Sequence, residues 1–390
     1  MAAALAYGIG FGTNYTFGAF FESMADEFGS GRGSTAIVYG ITIGLFFGVG
    51  VLTGPLSDRF GPRPLVLAAA VIMGAGLIAT SRVNDLWVGY ITYGIGAGVG
   101  GGMFVAPLVG TVAGWFERRR AVAIGVATTG SGFGTLILVP LAEHLIDTVG
   151  WRQAYVILGL IAAGTLVLVA IAIDRPPVPS PRRTFSRLGE ACRTRTFRLV
   201  VATATLMSAV MTLPFVFLVT FATDEGVSTS AAAALVAIIG ASSIVGRVVL
   251  SAAGSRLGPV RVWRLTIVFI PLAVLIWIVA GGNYPLLVLF AVLMGISYGG
   301  MVAIATEVLA HLFGVVGLSG LAGAMYLGAG VGGLIGPPVI GWAADAWTPS
   351  TALIIAVAIG LVSIALSFRV PSEPNAAEYV SAHQVDPGVS

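Results

Sequence analysis

One short loop motif occurs twice in this chain, each time between two long apolar segments. Residues 54–63 read GPLSDRFGPR and residues 253–261 read AGSRLGPVR, so that an arginine, a glycine and a proline recur at one constant shift. A second pair of segments, GSGFG at 130–134 and GAGVG at 328–332, recurs at nearly the same shift. This repetition predicts that the chain consists of two copies of one structural unit.

The composition places both units in a membrane. Of the 390 residues, 57% are hydrophobic and only 9% are charged, whereas a soluble domain carries about 25% charged residues. A helix that crosses a bilayer needs roughly 20 mostly apolar residues. We therefore predict an all-α membrane protein in which about 12 transmembrane helices form two pseudo-symmetric six-helix bundles.

The two bundles are separated by a stretch of different composition. The first bundle is predicted over 1–173, with its first span at 2–24, and the second over 197–370. Between them, 174–196 is rich in proline and arginine, which is typical of an extended cytoplasmic linker. The polar segment 371–390 is predicted to be a disordered cytoplasmic tail.

The arginines predict how the chain lies in the membrane. All 20 basic residues are arginine, because the sequence contains no lysine. With the N-terminus inside, sixteen of them fall on the cytoplasmic side and three fall in external loops. This bias predicts a multi-pass protein of the plasma (cell inner) membrane with both termini in the cytoplasm. The remaining arginine, Arg247, lies inside the eighth span.

The sequence also excludes several kinds of chemistry. A single cysteine, Cys192, excludes disulfides and cysteine-based metal sites, and three histidines leave little room for a metal cluster. Glycine runs such as 98–102 lie inside spans and lack the Lys-Ser/Thr of a phosphate-binding loop, so no nucleotide is expected. A net charge of +3 located in loops does not indicate nucleic acid. We expect a monomer in the lipid bilayer, without metal or cofactor, that is not an enzyme.

The loop after the second span is similar to a motif of the major facilitator superfamily. The matching residues are Gly54, Asp58, Arg59, Gly61 and Arg63. The resemblance implies a conformational latch at the cytoplasmic face. Its aspartate faces a helix N-terminus and its arginine pairs with acidic partners, which favours an outward-open state. The second copy has Ser255 in the aspartate's place, so a weaker latch is expected there. For a single motif, a tight turn with solvated charges is the alternative.

Other segments resemble the monocarboxylate transporter family and its bacterial relatives, which include oxalate/formate exchangers. These segments are NYTFGAFF at 14–21, WFERRR at 115–120, GSGFG at 130–134 with Pro140, GWR at 150–152, and GPP at 336–338 with Gly341. The resemblance implies a secondary active transporter that moves a small monocarboxylate, such as lactate or pyruvate, with a proton by alternating access.

The proposed cargo depends on Arg247. An arginine at the centre of a span costs about 2.5–3.5 kcal/mol on insertion scales, so it needs a partner or a water-filled cavity. Its planar guanidinium can bind a carboxylate with two hydrogen bonds, and the resemblance implies an arginine here as the substrate anchor. The alternative is a structural arginine that bonds a backbone carbonyl or an acid, or that extends to the inner interface.

The chain departs from the family pattern in ways that affect the cargo. Animal members have an aspartate one turn before this arginine, where the sequence has Ser243, and a lysine in the first span, near Tyr15 here. The exchangers' additional lysine in the eleventh span is also absent. One fixed cation suits a monoanion better than a dicarboxylate, so a monocarboxylate is predicted.

Further polar side chains complete the predicted site. Asp224, at the outer end of the seventh span, is expected to couple transport to protons by pairing with Arg247 and releasing it when protonated; a loop acid that caps the next helix is the alternative. Tyr298 is expected to donate to the carboxylate, unless it only packs against a helix carbonyl. Weaker candidates from the first half are Asn14, Tyr15 and Tyr93.

Two acid–histidine pairs, Glu143 with His144 and Glu307 with His311, can titrate but are interpreted as structural. The alternative function is a major facilitator efflux antiporter for drug-like or amphipathic compounds, with Arg247 structural. Uptake of labelled lactate or pyruvate, with and without a pH gradient, separates the two functions.

Overall fold

The computed structural model describes residues 1–116, 120–175, 191–314 and 318–374, which are helical apart from short turns and connections. Most of the predicted linker and tail lies outside these residues. The first half contains α1 (Ala2–Tyr15), α2 (Phe17–Phe28), α3 (Arg32–Phe60), α4 (Pro62–Thr80), α5 (Leu86–Gly89), a π-helical segment (Tyr90–Ile95), α6 (Gly96–Trp115), α7 (Arg120–Val149) and α8 (Trp151–Ala172). The second half contains α9 (Arg195–Met211), α10 (Pro214–Asp224), α11 (Thr229–Leu257), α12 (Pro259–Ala280), α13 (Tyr284–Phe313), α14 (Leu318–Ala346) and α15 (Pro349–Arg369).

These helices confirm the predicted all-α membrane fold. Within the described residues, 11 helical stretches are long and apolar enough to cross a membrane. The short helices α1 and α2 together have the length of one further crossing. Helices suit this environment because their backbone donors and acceptors are satisfied internally where water is absent.

The first helical stretch of each half is interrupted at an equivalent position. Thr16 separates α1 from α2, so the predicted span 2–24 is not one continuous helix. The Thr16 hydroxyl donates to the Thr13 carbonyl at 2.7 Å, a local bond that competes with the regular helical pattern. In the second half, α10 begins at Pro214 after a break at 212–213, because proline has no N–H to donate. The repeat detected in the sequence therefore extends to the irregularities of the helices.

The repeated loop motif forms a similar turn in both halves. Gly61 joins α3 to α4 with a φ of +88°, and Gly258 joins α11 to α12 with a φ of +91°. These backbone angles are accessible to glycine and strained for other residues. Each glycine is followed by a proline at the first position of the next helix, where its missing N–H leaves no bond unmade.

The two halves pack closely at one end of the molecule and separate at the other. At the end that carries Arg32, called the Arg32 end, a Cβ added to Gly341 of α14 would lie 2.7 Å from the Gly33 Cα of α3. Small residues allow such close approach of helix backbones. Towards the opposite end, called the Arg59 end after Arg59, the contact between the same two helices loosens: a Cβ added to Gly323 of α14 would lie 3.9 Å from the Val51 Cγ2 of α3, and one added to Gly320 would meet no atom within 4 Å. The opening between the halves therefore faces the Arg59 end.

We expect Gly258→Ala to lower the free energy of unfolding by about 1–3 kcal/mol, because alanine is strained at the glycine's backbone angles. An added Cβ would meet no atom within 4 Å, so the loss would come from the backbone alone. Thermal unfolding of the purified protein in detergent measures the change. Gly48→Ala is the control, since that helical glycine also has open space around it, and it should not lower Tm. Equal Tm values for the two variants would contradict the strained turn.

Candidate functional site

An aromatic cluster joins the two halves beside the two helix breaks. The hydroxyls of Tyr15, at the end of α1, and Tyr298, in α13, lie 2.5 Å apart and share a hydrogen bond. The Tyr15 ring stacks on Phe215 of α10 with centroids 3.8 Å apart. Tyr298 contacts the same phenylalanine edge-on, with centroids 5.7 Å apart. The structure thus brings together two of the predicted site residues from opposite halves.

Arg247 lies next to this cluster and is only 6% exposed. Its guanidinium donates to the Thr128 carbonyl, and to the Ser131 hydroxyl at 2.6 Å, both on α7 of the other half. Its Cζ lies 6.0 Å from the Tyr298 ring centroid, within cation–π reach. Its Nε–H has no hydrogen-bond partner. Among the described residues no acidic side chain lies within ion-pair distance of it, so its buried charge has only neutral partners.

Two further tyrosines lie near this site although the sequence reasoning did not select them. Tyr7 of α1 and Tyr326 of α14 both lie within electrostatic range of Arg247. Tyr7 stacks on Phe11 with centroids 5.8 Å apart, and Phe11 contacts Tyr15 at 6.0 Å. The spacing of four residues between these rings places them on one face of α1, and this signal was available in the sequence.

The other two predicted residues, Asn14 and Tyr93, lie inside the first half. Asn14 is 1% exposed, and neither its amide nitrogen nor its amide oxygen has a hydrogen-bond partner. Tyr93 donates to the Thr13 carbonyl at 3.3 Å and its ring lies 5.3 Å from that of Phe17. The Tyr93 hydroxyl is therefore used within the first half, whereas the Asn14 amide is buried and unpartnered.

Asp224 does not pair with Arg247 in this structure. Its carboxylate accepts a hydrogen bond from Arg32 of the other half at 2.5 Å. The two carboxylate oxygens of Asp345 accept from the backbone N–H groups of Arg32 and Gly33, each at 3.0 Å. Asp345 thereby caps the N-terminus of α3, where a negative charge is favourable. We call these four residues, Arg32, Gly33, Asp224 and Asp345, the Arg32 clasp, which ties the halves together at the closed end.

The residues of the predicted latch lie at the opposite, Arg59 end. Gly54 and Asp58 belong to α3, and Gly61 forms the turn that follows. Arg59 and Arg63 are exposed, and neither forms an ion pair within the part of the chain that the structure describes. The side chain of Asp58 lies outside the described residues. The latch therefore stays a prediction.

This arrangement is suited to an organic anion. It offers one buried positive charge, an unused N–H donor, tyrosine hydroxyls and apolar rings, and small-molecule sites typically combine few polar anchors with apolar walls. No cluster that could hold a metal ion occurs among the described residues. A groove of about 260 Å³ between Met1 and Phe116 is lined by apolar side chains.

Similarity to known proteins covers nearly the whole chain. The family model described as Major Facilitator Superfamily matches residues 3–283 and 256–386. Monocarboxylate transporter 11 of Homo sapiens is 32% identical over 88% of this chain and 76% of its own length. Monocarboxylate transporter 3 of Rattus norvegicus is 32% identical over 87% of this chain and 72% of its own. Aspyridones efflux protein apdF of Emericella nidulans is 30% identical over 76% of this chain and 60% of its own.

The fold is also similar to that of a solved structure. A bacterial homologue of the human lysosomal transporter Spinster, in an inward-facing and unoccupied conformation, matches with a TM-score of 0.79. The match covers 99% of this chain and 98% of the other. Because the two sequences are only 14% identical, this likeness concerns the fold alone.

We expect Asp345→Asn to loosen the Arg32 end, because an amide offers one acceptor oxygen and no charge to the N-terminus of α3. Thr220 of α10 is 2% exposed, and a cysteine there, in a Cys192→Ser background, reports opening through its reaction with a membrane-impermeant maleimide. Loss of a cap costs about 0.5–2 kcal/mol, so labelling should accelerate about twofold to thirtyfold.

Asp85→Asn is the control for this labelling experiment. Asp85 precedes α5 and its side chain makes no capping bond, so its amide variant should label at the parental rate. An unchanged labelling rate in Asp345→Asn would contradict the role of the Arg32 clasp.

Proposed function

This chain belongs to the major facilitator superfamily, and on that premise we propose that it moves a small monocarboxylate, together with a proton, by alternating access. It is a multi-pass membrane transporter and not an enzyme, because the family and the relatives that it matches are transporters. Lactate and pyruvate have the size and charge that we propose for the cargo. One observation carries the proposal: Arg247 is buried between the halves, and no acidic side chain in the described part of the chain pairs with it.

A carboxylate is the partner that this guanidinium lacks. Its present acceptors, the Thr128 carbonyl and the Ser131 hydroxyl, are neutral, and its Nε–H is free. A carboxylate would accept two hydrogen bonds from the planar fork and would also compensate its charge. Tyr298 would donate its hydroxyl to the second carboxylate oxygen in exchange for its bond to Tyr15.

The surroundings of Arg247 favour a short monoanion. One cation balances one carboxylate, and a second carboxylate would be left buried without a counter-charge. The rings of Tyr15 and Phe215 provide an apolar wall for a short alkyl chain. Two of the relatives are named monocarboxylate transporters, which supports this class of substrate. Asn14 and Tyr93 would be secondary contributors to this site.

Alternating access would exchange the open and closed ends of the molecule. We place the Arg59 end, with both termini, on the cytoplasmic side of the plasma membrane, because most of the arginines outside the spans lie on that side. The arrangement described here is then open inward. Rocking of the halves would close the Arg59 end, where the latch from Gly54 to Arg63 would form, and would open the Arg32 end.

Asp224 is the residue that we propose to couple this cycle to protons, through Arg32 rather than directly through Arg247. Its side chain is 38% exposed at the Arg32 end, where external protons reach it. Protonation removes the negative charge that holds Arg32 and so weakens the Arg32 clasp. Acid outside would thereby favour the outward-open state that receives anion and proton together.

The second candidate is an efflux antiporter for drug-like or amphipathic compounds. The observation that favours it is the match to a protein named an aspyridones efflux protein. In that case Arg247 would be structural, and its bonds to Thr128 and Ser131 would only fasten the two halves. Transport of an amphipathic compound that does not require Arg247 would favour this candidate.

We expect Arg247→Ala to lower transport of lactate or pyruvate into proteoliposomes at least about tenfold, since a hydrogen bond to a charged group contributes about 1.5–3 kcal/mol. Arg247→Lys should recover only part of the rate, because an ammonium lacks the planar fork. Uptake of labelled acid, with and without an inward proton gradient, measures the effect.

Arg264→Ala is the matched control for loss of an arginine. Arg264 donates to the carbonyls of Ser367 and Val370 outside the site, so its removal tests general damage to the second half. Acid transport that survives in Arg247→Ala at the level of this control would contradict the anchor and the proposed function.

A further inference from the structure

Glu143 is a buried carboxyl side chain of α7, a helix that packs against α1 of its own half and α11 of the other. It is 4% exposed, and its Oε2 has neither a hydrogen-bond partner nor contact with solvent. It belongs to the candidate membrane span Ala123–Val149. Ionisable residues inside spans are costly, and they are therefore functional-site candidates unless a partner explains them.

The helices packed against α7 bring no free cation to Glu143. Within their described lengths, α1 and α6 contain no charged side chain. Arg152 of α8 donates to Glu27 of α2 and to the Ser81 carbonyl. Of the two arginines of α11, Arg247 is held by its two acceptors further along α7, and Arg256 lies in the last turn, at the far end of the helix. Among the described residues, no ion pair includes Glu143.

The charged groups that do face Glu143 are themselves acidic. Glu22 of α2 and Asp147, one turn further along α7, both lie within electrostatic range of it. The neighbouring His144 is exposed and forms no ion pair in the described part of the chain. An ionised carboxylate here would thus be buried beside two like charges without compensation, which a low-dielectric interior does not tolerate.

We propose that Glu143 is a proton-binding site of this transporter, loaded from the Arg32 end by way of Glu22. Glu22 is half-buried and lies within electrostatic range of Asp224 and Arg32 on one side and of Glu143 on the other. The proton leaves a hydronium ion at the Arg32 end and forms an O–H bond on the Glu143 carboxylate. On release it returns to water.

Helix α7 links this proton site to the anion site. The same helix carries Glu143 towards the Arg32 end and, towards the other end, Thr128 and Ser131, which hold Arg247. A change in the charge of Glu143 therefore acts on α7, whose Thr128 carbonyl and Ser131 hydroxyl compete with the anion for the Arg247 guanidinium. This part of the inference rests on the proposed function, whereas the protonation of Glu143 itself does not.

Infrared spectroscopy of the reconstituted protein at neutral pH tests the protonation directly. We expect the C=O stretch of a protonated carboxyl in the wild type and its loss in Glu143→Gln, whose amide keeps the shape without the proton. Asp85→Asn is the matched control, since Asp85 is an exposed acid without a capping bond and takes no part in the surroundings of Glu143, and it should keep the band. A wild type without the band, or a band that persists in Glu143→Gln, overturns the proposal.

Transport separates this inference from the proposed function. A carrier that moves one proton per anion accumulates lactate at most about tenfold for each unit of pH difference. We expect Glu143→Gln to lose this accumulation while still exchanging internal for external lactate, and Asp85→Asn to keep both activities. Accumulation that survives in Glu143→Gln overturns the coupling role of Glu143. Absence of any acid transport in the wild type would instead overturn the proposed function and leave the infrared result to stand.

Discussion

Every buried polar atom in this molecule has to find its partner inside the protein, because the surrounding membrane offers none. The helices meet this constraint for the backbone, and the threonine and serine hydroxyls largely meet it by bonding carbonyls of their own helix. The few groups that fail to do so stand out against this background. The Arg247 Nε–H and the Glu143 Oε2 are both buried and unpartnered, and each marks a place where a ligand or a proton would complete the structure.

The two halves repeat the same construction but use it differently. Both contain the glycine–proline turn and a break near the middle of their first helical stretch. Tyr15 is the last residue before the break in the first half, and Phe215 lies just after the break in the second half. Their rings stack on each other, so the two breaks lie side by side in the structure. Charge, in contrast, is distributed unequally, since the buried arginine found among the described residues belongs to the second half. The site is therefore asymmetric although the scaffold is not.

The sequence predicted the scaffold because its signals are local. Apolar stretches, the repeated loop and the position of Arg247 inside a span can each be read from a single segment. The partner of Asp224 could not be predicted in this way, because Arg32 lies in the other half and the pairing depends on how the two halves pack. The break at Thr16 was also missed, since threonine is compatible with a continuous helix and only its hydrogen bond reveals the interruption.

The sequence does not reveal the residues whose role depends on which side chains pack around them. Glu143 was interpreted as half of a structural pair with His144, because the two are adjacent in the chain. The structure buries the acid and exposes the histidine. Tyr7, in contrast, shares a regular spacing with Tyr15 that was visible in the sequence, and its position near Arg247 follows from the face of α1 that both occupy.

The bonds from Arg247 to α7 have a kinetic consequence, because they cross from one half of the molecule to the other. In the absence of cargo they restrain the reorientation of the empty protein. A carboxylate that occupies the guanidinium would lift this restraint, so the loaded form would reorient faster than the unloaded one. Such a carrier exchanges acids across the membrane faster than it carries out net transport in one direction. It also limits the uncoupled proton leak that would occur if the empty carrier could reorient freely.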